Sequence, residues 1–447
     1  MSENMNNEGL LRIQQLLDSQ SFVEFGSKIT NRFTKLCNNP IVCESDGVVT
    51  GYGQMNGELV FIFAQDSQCL GGSFGEMHCK KIAHLFQQAK KMKAPVIGII
   101  NSTGIRLNEG IMGLEGLGEV LFAMKEAQKS IPVYTIITGI CGGSLGMIPQ
   151  MSDFVFLEKT NGKCFVNSIN TISNNTHQDT IDNNTVPTFV DFIGTIDDIR
   201  EKINFLCERM PQYLGQKLPA RFDLDDLNRS CEFQNSDKIT LVDFLQQVSD
   251  SASIFPIKEH GCKDVFTGFI SLAGKLVGVV ATLDLAQTFH QECRLNDNGM
   301  KKATKMVQLC NRFRIPLLSI LNNDGIETSL ENEEDYLSSA VLYFDAIKEL
   351  QSPKISLIPD HIYGGSYSFM GSKSIGMDMV IGWDCAQIGV LSDVAIAKLG
   401  HQTSQIDNSI AQAARMGLVD CIILPNQTRS YLISLFDMLE TKTMEVK

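Results

Sequence analysis

The sequence predicts an α/β fold built from two related halves. Segments of β-type and helical pattern alternate along the chain, which is typical of a mainly parallel sheet covered by helices. At 447 residues the chain is too long for one ordinary core. Glycine-rich turns of the first half also recur in the second half at a nearly constant spacing. We therefore expect a duplication.

The first half is predicted element by element from its periodicity. Apolar spacing over 10–25 predicts one or two short amphipathic helices, and Asn56-Gly57 predicts a tight hairpin within 47–66. A helix should follow and end near Met92, with Ser73 as its N-cap. The next predicted elements are a strand at 94–100, a helix at 114–128, a strand at 133–137 and a helix that ends near Asp153.

Between 160 and 260 the sequence becomes more polar, and turn formers at 174–185 predict a loop. A helix is predicted at 196–210, where Pro211 would stop it. We treat this region as the link between the halves. The predicted domains are an N-terminal helical segment at 1–45, a first domain with the linker at 46–250, and a second domain at 251–447.

The repeat itself is visible in turn-forming residues. Thr50 matches Thr267 at an offset of 217 residues, and Asn101 matches Asn322 at an offset of 221. Gly142-Gly143 match Gly364-Gly365 at 222. Two unrelated domains that share a few glycines would not keep so small a drift. The duplication is therefore the preferred interpretation.

Composition excludes several classes of protein. The net charge of −13 and the pI near 5.1 disfavour nucleic acid or an anionic membrane as the main partner. No apolar run reaches the roughly 18 residues of a membrane-spanning helix. The thirteen cysteines form no C-x-x-C pair, and the start lacks the pattern of a signal peptide, so we expect a reduced, cytoplasmic protein. Histidine and cysteine spacings indicate no metal site.

Two glycine pairs carry the predicted chemistry. The run I-C-G-G-S-L-G at 140–146 follows one β-type segment, and I-Y-G-G-S-Y at 362–367 follows another, at 354–358. Glycines at a strand-to-helix turn let the backbone approach a ligand, with the first helical N–H groups free to meet an oxygen. Each turn is therefore a candidate oxyanion hole.

Three motifs of the first half carry a resemblance to a known family. They are D-G-V-V-T-G-Y-G at 46–53, F-A-Q-D at 63–66 and G-G-S-F-G-E-M-H at 71–78. With them the chain resembles the biotin-dependent acyl-CoA carboxyltransferases from about 46 to 423. The resemblance implies a crotonase-like fold in each half. It also implies an active site between the first half of one subunit and the second half of another, and hence a homo-oligomer, expected to be a hexamer.

The resemblance further implies how the site works. Gly142 and Gly143 should bind the thioester oxygen of acyl-CoA, and Gly365 with Ser366 the ureido oxygen of biotin, which can itself take the α-proton. No metal is implied. Biotin should be attached to a separate biotin carboxyl carrier protein. The other expected partners are biotin carboxylase or decarboxylase subunits. Further substrate contacts are expected from Gly71, Gly72, Ser73, Arg106, Gly364 and Ser368, of which Ser368 lines the acyl pocket in the family.

Other interpretations stay open. The second half departs from the family at N-N-D-G-I (322–326) and T-L-D (282–284), so a catalytically degenerate CoA-binding or assembly subunit is an alternative. The G-x-S-x-G patterns at 142–146 and 71–75 would suit a serine hydrolase that uses Ser144. The stretch A-M-K-E around Lys125 is similar to a biotin-carrier motif but has a helical pattern. Arg106 fits either a substrate anion or a salt bridge.

Overall fold

The computed structural model describes residues 7–32, 42–166, 186–216, 218, 225–233, 238–327, 333–398 and 407–442. These residues form two compact units, Met1–Lys217 and Leu218–Lys447. The loop predicted at 174–185 lies outside the described residues. The predicted domain boundary at residue 250 stays a prediction.

The first unit alternates strands and helices after a short N-terminal helix. Its elements are α1 (Glu8–Leu16), β1 (Val23–Glu24), β2 (Val48–Met55), β3 (Glu58–Gln65), α2 (Glu76–Met92), β4 (Val96–Ser102), α3 (Ile111–Gln128), β5 (Val133–Gly142), α4 (Met147–Met151), β6 (Phe154–Glu158), β7 (Lys163–Phe165), β8 (Phe192–Gly194) and α5 (Ile196–Arg209).

The sheet of the first unit runs in the order β1-β2-β3-β4-β5-β6-β8, and β7 pairs with the end of β5. The pairs β1–β2 and β2–β3 are antiparallel, and the remaining pairs are parallel. Asn56 and Gly57 have φ of 50° and 79°, which two-residue hairpins with an N-G turn require, so this prediction is confirmed. Where the sequence predicted one or two helices over 10–25, α1 is followed by β1.

Helix α2 packs on β2 and β3 and against α3. Its apolar stripe of Ile82, Leu85, Phe86 and Ala89 is fully buried, as the helical spacing predicted. The predicted cap at Ser73 is wrong. The helix begins at Glu76 after Gly75, and the Glu76 N–H donates to Glu109 Oε2 at 2.6 Å. The Glu109 carboxylate, which comes from another segment, therefore caps the helix in place of Ser73.

The second unit repeats this plan. Its elements are α6 (Leu241–Val248), β9 (Ile254–Ile257), β10 (Phe266–Leu272), β11 (Lys275–Ala281), α7 (Asp297–Phe313), β12 (Leu317–Ile320), α8 (Glu333–Glu349), β13 (Lys354–Ile358), β14 (His361–Tyr363), β15 (Met379–Trp383), β16 (Gln387–Gly389), α9 (Asp393–Lys398), α10 (Ile410–Arg415), β17 (Cys421–Ile423) and α11 (Thr428–Leu439).

Its main sheet has the order β17-β15-β13-β12-β11-β10-β9, and β14 and β16 form a separate two-stranded sheet. The hairpin pairs are antiparallel and the others parallel, as in the first unit. Val96 pairs with Val133 in the first sheet, and Leu317 pairs with Lys354, 221 residues later, in the second. The predicted α/β duplication is confirmed.

The expectation that every cysteine is reduced is wrong at one pair. Cys43 and Cys69 form a disulfide that ties the segment before β2 to the loop after β3. Sequence spacing gave no sign of this pair, because the two residues meet only when β2 and β3 form their hairpin. Among the described residues, no helix is long and apolar enough to cross a membrane.

Candidate functional site

The first glycine turn lies at the carboxyl end of β5. The strand ends at Gly142, and a short 3₁₀ helix, Gly143–Gly146, leads into α4. Gly143 has a φ of +67°, which favours glycine, and nothing lies within 4 Å of the place where a Cβ would stand. The first N–H groups of such a helical turn have no acceptor within it. The turn is thus open for a ligand oxygen.

The second turn lies at the end of β14. Gly364 has a φ of +70°, and its N–H donates to the Gly389 oxygen at 3.0 Å. Gly365 and Ser366 then begin a helical turn that continues as the π-helix Tyr367–Gly371. Gly365 and Ser368 are exposed, as residues that meet a ligand must be. The hydroxyl of Ser366 is buried, 2.6 Å from Asn323 Oδ1.

The match of the two glycine pairs at an offset of 222 is wrong by one residue. Cys141 pairs with Ser102, and Ile362 pairs with Asn323, so the offset at this point is still 221. Gly143 therefore corresponds to Gly364, and both have positive φ. Sequence identity aligned Gly142 with Gly364, the first glycine of each pair. Identity cannot show which glycine of a pair takes the left-handed conformation, and this is what the strand register corrects.

One further glycine in each unit faces the glycine turn, and the sequence analysis did not assign either of them to the site. Gly104 (φ +122°) and Gly325 (φ +102°) follow β4 and β12. A Cβ on Gly104 would lie 3.6 Å from the Gly142 oxygen, and one on Gly325 would lie 3.7 Å from the Tyr363 oxygen. Their recurrence at an offset of 221 was the available signal. In each unit, a glycine that follows the neighbouring strand therefore lies next to the glycine turn.

The loop at Gly71–Gly72 reaches the same edge of the first sheet. Both glycines have positive φ, and a Cβ on Gly72 would lie 2.2 Å from the Asn101 oxygen at the end of β4. The Thr103 N–H donates to the Gly71 oxygen at 3.1 Å. Two predicted substrate-binding residues are thus brought beside Gly104. Ser73 is buried, and its hydroxyl donates to the Leu70 oxygen at 2.6 Å.

Arg106 is buried in an ion-pair network. Its Nη1 lies 2.5 Å from Asp46 Oδ1 and 2.7 Å from Glu109 Oε1, and Nη2 donates to the Ser73 oxygen at 2.7 Å. Burial raises the pKa of the Asp46 carboxyl, although Arg106 opposes that shift. Burial also lowers the pKa of His78, which packs against Asp46. These contacts match the salt-bridge interpretation of Arg106.

The structure gives the hydrolase alternative no support. Ser144 is exposed, and within the described ranges its hydroxyl has no hydrogen bond to a histidine or a carboxylate. Ser73, the other serine of a G-x-S-x-G pattern, is held by backbone and Arg106. A nucleophilic serine needs a base within hydrogen-bond reach. Lys125 lies within helix α3, where a biotin carrier would need an exposed hairpin.

The first unit also holds an apolar cavity of about 680 Å³ between α2 and the β2–β3 hairpin. Its lining includes Tyr52, Phe61, Met77, Lys81 and His84 but none of the predicted site residues. In the part of the chain that the structure describes, no group of three or more His, Cys, Asp or Glu side chains could hold a metal ion.

Comparison with known proteins agrees with this architecture. The carboxyl transferase domain model matches residues 9–405. The chain is 30% identical to methylmalonyl-CoA decarboxylase subunit alpha of Propionigenium modestum, with 96% of this chain and 90% of the relative covered. It is also 30% identical to the propionyl-CoA carboxylase beta chain of Roseobacter denitrificans, with 97% and 91% covered.

Among solved structures, the fold is similar to transcarboxylase 12S, a hexamer crystallised with hydrolysed methylmalonyl-coenzyme A bound. The TM-score is 0.90 at 25% identity, and 98% of this chain and 91% of that chain are covered. The crotonase-like fold implied by the sequence motifs is thereby confirmed. The chain belongs to the carboxyl transferase domain family.

Proposed function

We propose that the chain is the carboxyltransferase subunit of a biotin-dependent acyl-CoA carboxylase or decarboxylase. One observation carries the proposal: in each unit a left-handed glycine starts a helical turn at the carboxyl end of a strand, with a second glycine facing it. Two such turns suit a reaction with two oxygens that gain negative charge. Membership of the carboxyl transferase domain family supplies the reaction class.

In the proposed site, backbone N–H groups do the chemical work. The turn at Gly142 and Gly143 receives the thioester oxygen of acyl-CoA, with the Ser144 N–H as a further donor. Gly365 and Ser366 offer their N–H groups to the ureido oxygen of biotin. Biotin on its carrier supplies or accepts the carboxyl group. Each donor is aimed at an oxygen whose charge grows in the transition state, where such hydrogen bonds are worth most.

The names of the relatives support a proposal for the substrate and the partners. Two relatives are named for methylmalonyl-CoA and propionyl-CoA, so we propose a short acyl-CoA as the substrate. The protein partners would be a biotin carboxyl carrier protein and the biotin carboxylase or decarboxylase subunits. Gly71, Gly72 and Ser368 would contact the acyl-CoA. A cytoplasmic location is part of the proposal.

A homo-oligomer is also proposed. Apolar side chains along one face of α3 are exposed, with Ile111 at 77% and Phe122 at 70%. Leu337 and Val341 are similarly exposed on α8, the corresponding helix of the second unit. Such faces mark surfaces that another chain covers. The hexamer of transcarboxylase 12S is the expected assembly.

The test is transfer of the carboxyl group from methylmalonyl-CoA to a biotinylated carrier, with acyl-CoA binding followed by calorimetry. Gly143→Val should weaken acyl-CoA binding and thereby abolish transfer. Gly365→Pro removes one N–H donor at the first residue of a helical turn, a position that tolerates proline. The variant should bind acyl-CoA but lose about 100- to 1,000-fold in turnover, because one oxyanion donor is gone. Gly417→Val is the matched control, since Gly417 also has positive φ and open space around it.

The outcomes distinguish an active carboxyltransferase from a catalytically degenerate CoA-binding subunit. An active wild type with a fully active Gly365→Pro variant would remove the second turn from the mechanism. A wild type that binds acyl-CoA yet transfers nothing to any carrier would support the alternative of a CoA-binding or assembly subunit.

A further inference from the structure

A cluster of ionisable side chains lies directly before the second glycine turn. His361 Nδ1 is 2.7 Å from Asp360 Oδ2. Its Nε2 is 3.3 Å from Asp324 Oδ2, which is ion-pair distance although not aligned as a hydrogen bond. His290 Nδ1 lies 3.0 Å from the other oxygen of Asp360. One imidazole is thus held between two carboxylates.

The cluster is largely shielded from water. The side chain of His361 is 12% exposed, that of Asp324 16% and that of Asp360 19%, whereas His290 is 42% exposed. The His361 ring stacks on Tyr363 at 5.3 Å, and the Tyr363 hydroxyl donates to Gln387. Beyond Asp324, the Cys293 N–H donates to Asp324 Oδ2 at 3.0 Å.

Hydrogen bonds link this cluster to the glycine turn. The Asn323 N–H donates to the His361 oxygen, and the Tyr363 N–H donates to the Asn323 oxygen, both at 3.1 Å. Asn323 Oδ1 then accepts from the Gly325 N–H at 3.0 Å and lies 2.6 Å from the hydroxyl of Ser366. The loop at 322–325 therefore joins the charged cluster to one of the two proposed N–H donors.

The first unit shows that the fold does not need these charges. At the offset of 221, Gly139, Ile140 and Thr103 stand where the second unit has Asp360, His361 and Asp324. Leu145 stands where the second unit has Ser366. The two units keep the same strand pairing here with and without the cluster. Because partial burial of charged groups is unfavourable, the cluster calls for a reason other than folding.

We infer that His361 is a positioning residue for carboxyl transfer: its ring, held between Asp360 and Asp324, fixes the loop at 322–325 and with it Ser366, one of the two proposed donors. This inference rests on the proposed function, and it concerns only the biotin side of the site. We call Asp360, His361 and Asp324 together the clamp. The first unit, which holds the acyl-CoA side, has no counterpart of the clamp, so acyl-CoA binding should not depend on it.

The clamp should respond to pH. Burial lowers the pKa of the His361 imidazole, but hydrogen bonding to Asp360 and the charge of Asp324 outweigh burial, and the pKa is raised above its ordinary value. A histidine with a raised pKa keeps its charge below that pKa and loses it as pH rises through it. The contact between His361 and the two carboxylates should therefore be held below the raised pKa and released as the pH rises through it.

The experiment measures carboxyl transfer to a biotinylated carrier from about pH 6 to about pH 9, a range that begins near the ordinary pKa of histidine and extends well above it. Wild-type kcat should fall as pH rises. His361→Gln should lower kcat about 10- to 100-fold, leave the KM for acyl-CoA unchanged and remove that pH dependence, since misplaced catalytic groups slow the chemical step. His361→Lys keeps a cation and should recover most of the lost rate without titrating in this range.

Asp324→Asn loosens the clamp from its other side and should lower kcat with the imidazole intact. His84→Gln, an exposed histidine of the first unit, is the matched control and should change nothing. Melting temperature and acyl-CoA calorimetry establish that each variant is folded. An active wild type together with a His361→Gln variant of unchanged kcat and unchanged pH profile overturns the inference alone. A wild type inactive at every pH overturns the proposed function and this inference with it.

Discussion

Asn101 and Asn322 make the same hydrogen bond in the two units. Asn101 Oδ1 accepts from the Ile140 N–H at 3.1 Å, and Asn322 Oδ1 accepts from the His361 N–H at 3.2 Å. Each asparagine stands at the end of its parallel strand and holds the start of the segment that leads to a glycine turn. This shared bond explains why the two residues recur at the offset of 221.

The two asparagines should differ in their effect on stability. Asn322 is fully buried and also donates to the Phe289 oxygen at 2.6 Å, whereas Asn101 is partly buried. Asn322→Ala should lower the free energy of unfolding by about 2–4 kcal/mol and Asn101→Ala by about 1 kcal/mol, because buried polar groups would be left unpaired. Urea unfolding measures both. Equal losses of unfolding free energy would show that the burial of the asparagine does not determine the cost.

Ser144 should be dispensable as a side chain. Ser144→Ala leaves the backbone N–H in place, so acyl-CoA binding and carboxyl transfer should stay within about twofold of wild type, whereas loss of a catalytic nucleophile would cost many orders of magnitude. Fluorophosphonate probes should not label the protein. Stoichiometric labelling of Ser144, read by mass spectrometry, would instead establish the hydrolase interpretation.

The network around Arg106 should be essential to the fold. Arg106→Met leaves Asp46 and Glu109 buried without a cation and should lower the free energy of unfolding by about 3–5 kcal/mol. Lys80→Met is the control, because Lys80 pairs with Glu76 on the surface and should contribute less than about 1 kcal/mol. If Arg106→Met were as stable as wild type but had lost acyl-CoA binding, substrate contact would be its role.

The disulfide between Cys43 and Cys69 should stabilise the first unit. It closes a segment with a sequence separation of 26, so reduction should destabilise the protein by about 3 kcal/mol. Melting in the presence and absence of dithiothreitol should differ for wild type and coincide for Cys43→Ser. Cys421→Ser, which removes a free cysteine, should behave as wild type. Alkylation in fresh lysate then shows whether the bond is closed in cells; a reducing cytoplasm would keep it open.

The exposed apolar face of α3 should lie in a contact between subunits. Light scattering at micromolar concentration should show an oligomer, and Phe122→Glu should shift it to smaller species because a carboxylate would be buried there. Met438→Glu adds the same charge to an exposed methionine of α11 and should leave the assembly intact. A monomeric wild type would count against a site shared between subunits.

The sequence by itself determined the local and repeated features. The N-G hairpin, the apolar stripe of α2, the strand at 354–358 and the helix that stops before Pro211 all depend on residues close in the chain. The duplication was equally accessible, because turn glycines and strand-end asparagines must recur wherever the same backbone path recurs. The motifs at 46–53 and 71–78 identified the family for the same reason.

Tertiary structure alone decided which partners distant residues choose. Ser73 has the sequence of an N-cap, yet Arg106 and Leu70 hold it, and Glu109 takes the helix end instead. The offset at the glycine turns was settled by strand register, which sequence identity misjudged by one residue. The Cys43–Cys69 bond and the clamp around His361 depend on loops that meet only at a sheet edge. Local patterns encode backbone conformation, whereas these contacts join segments far apart in the chain, and only the assembled sheet brings them together.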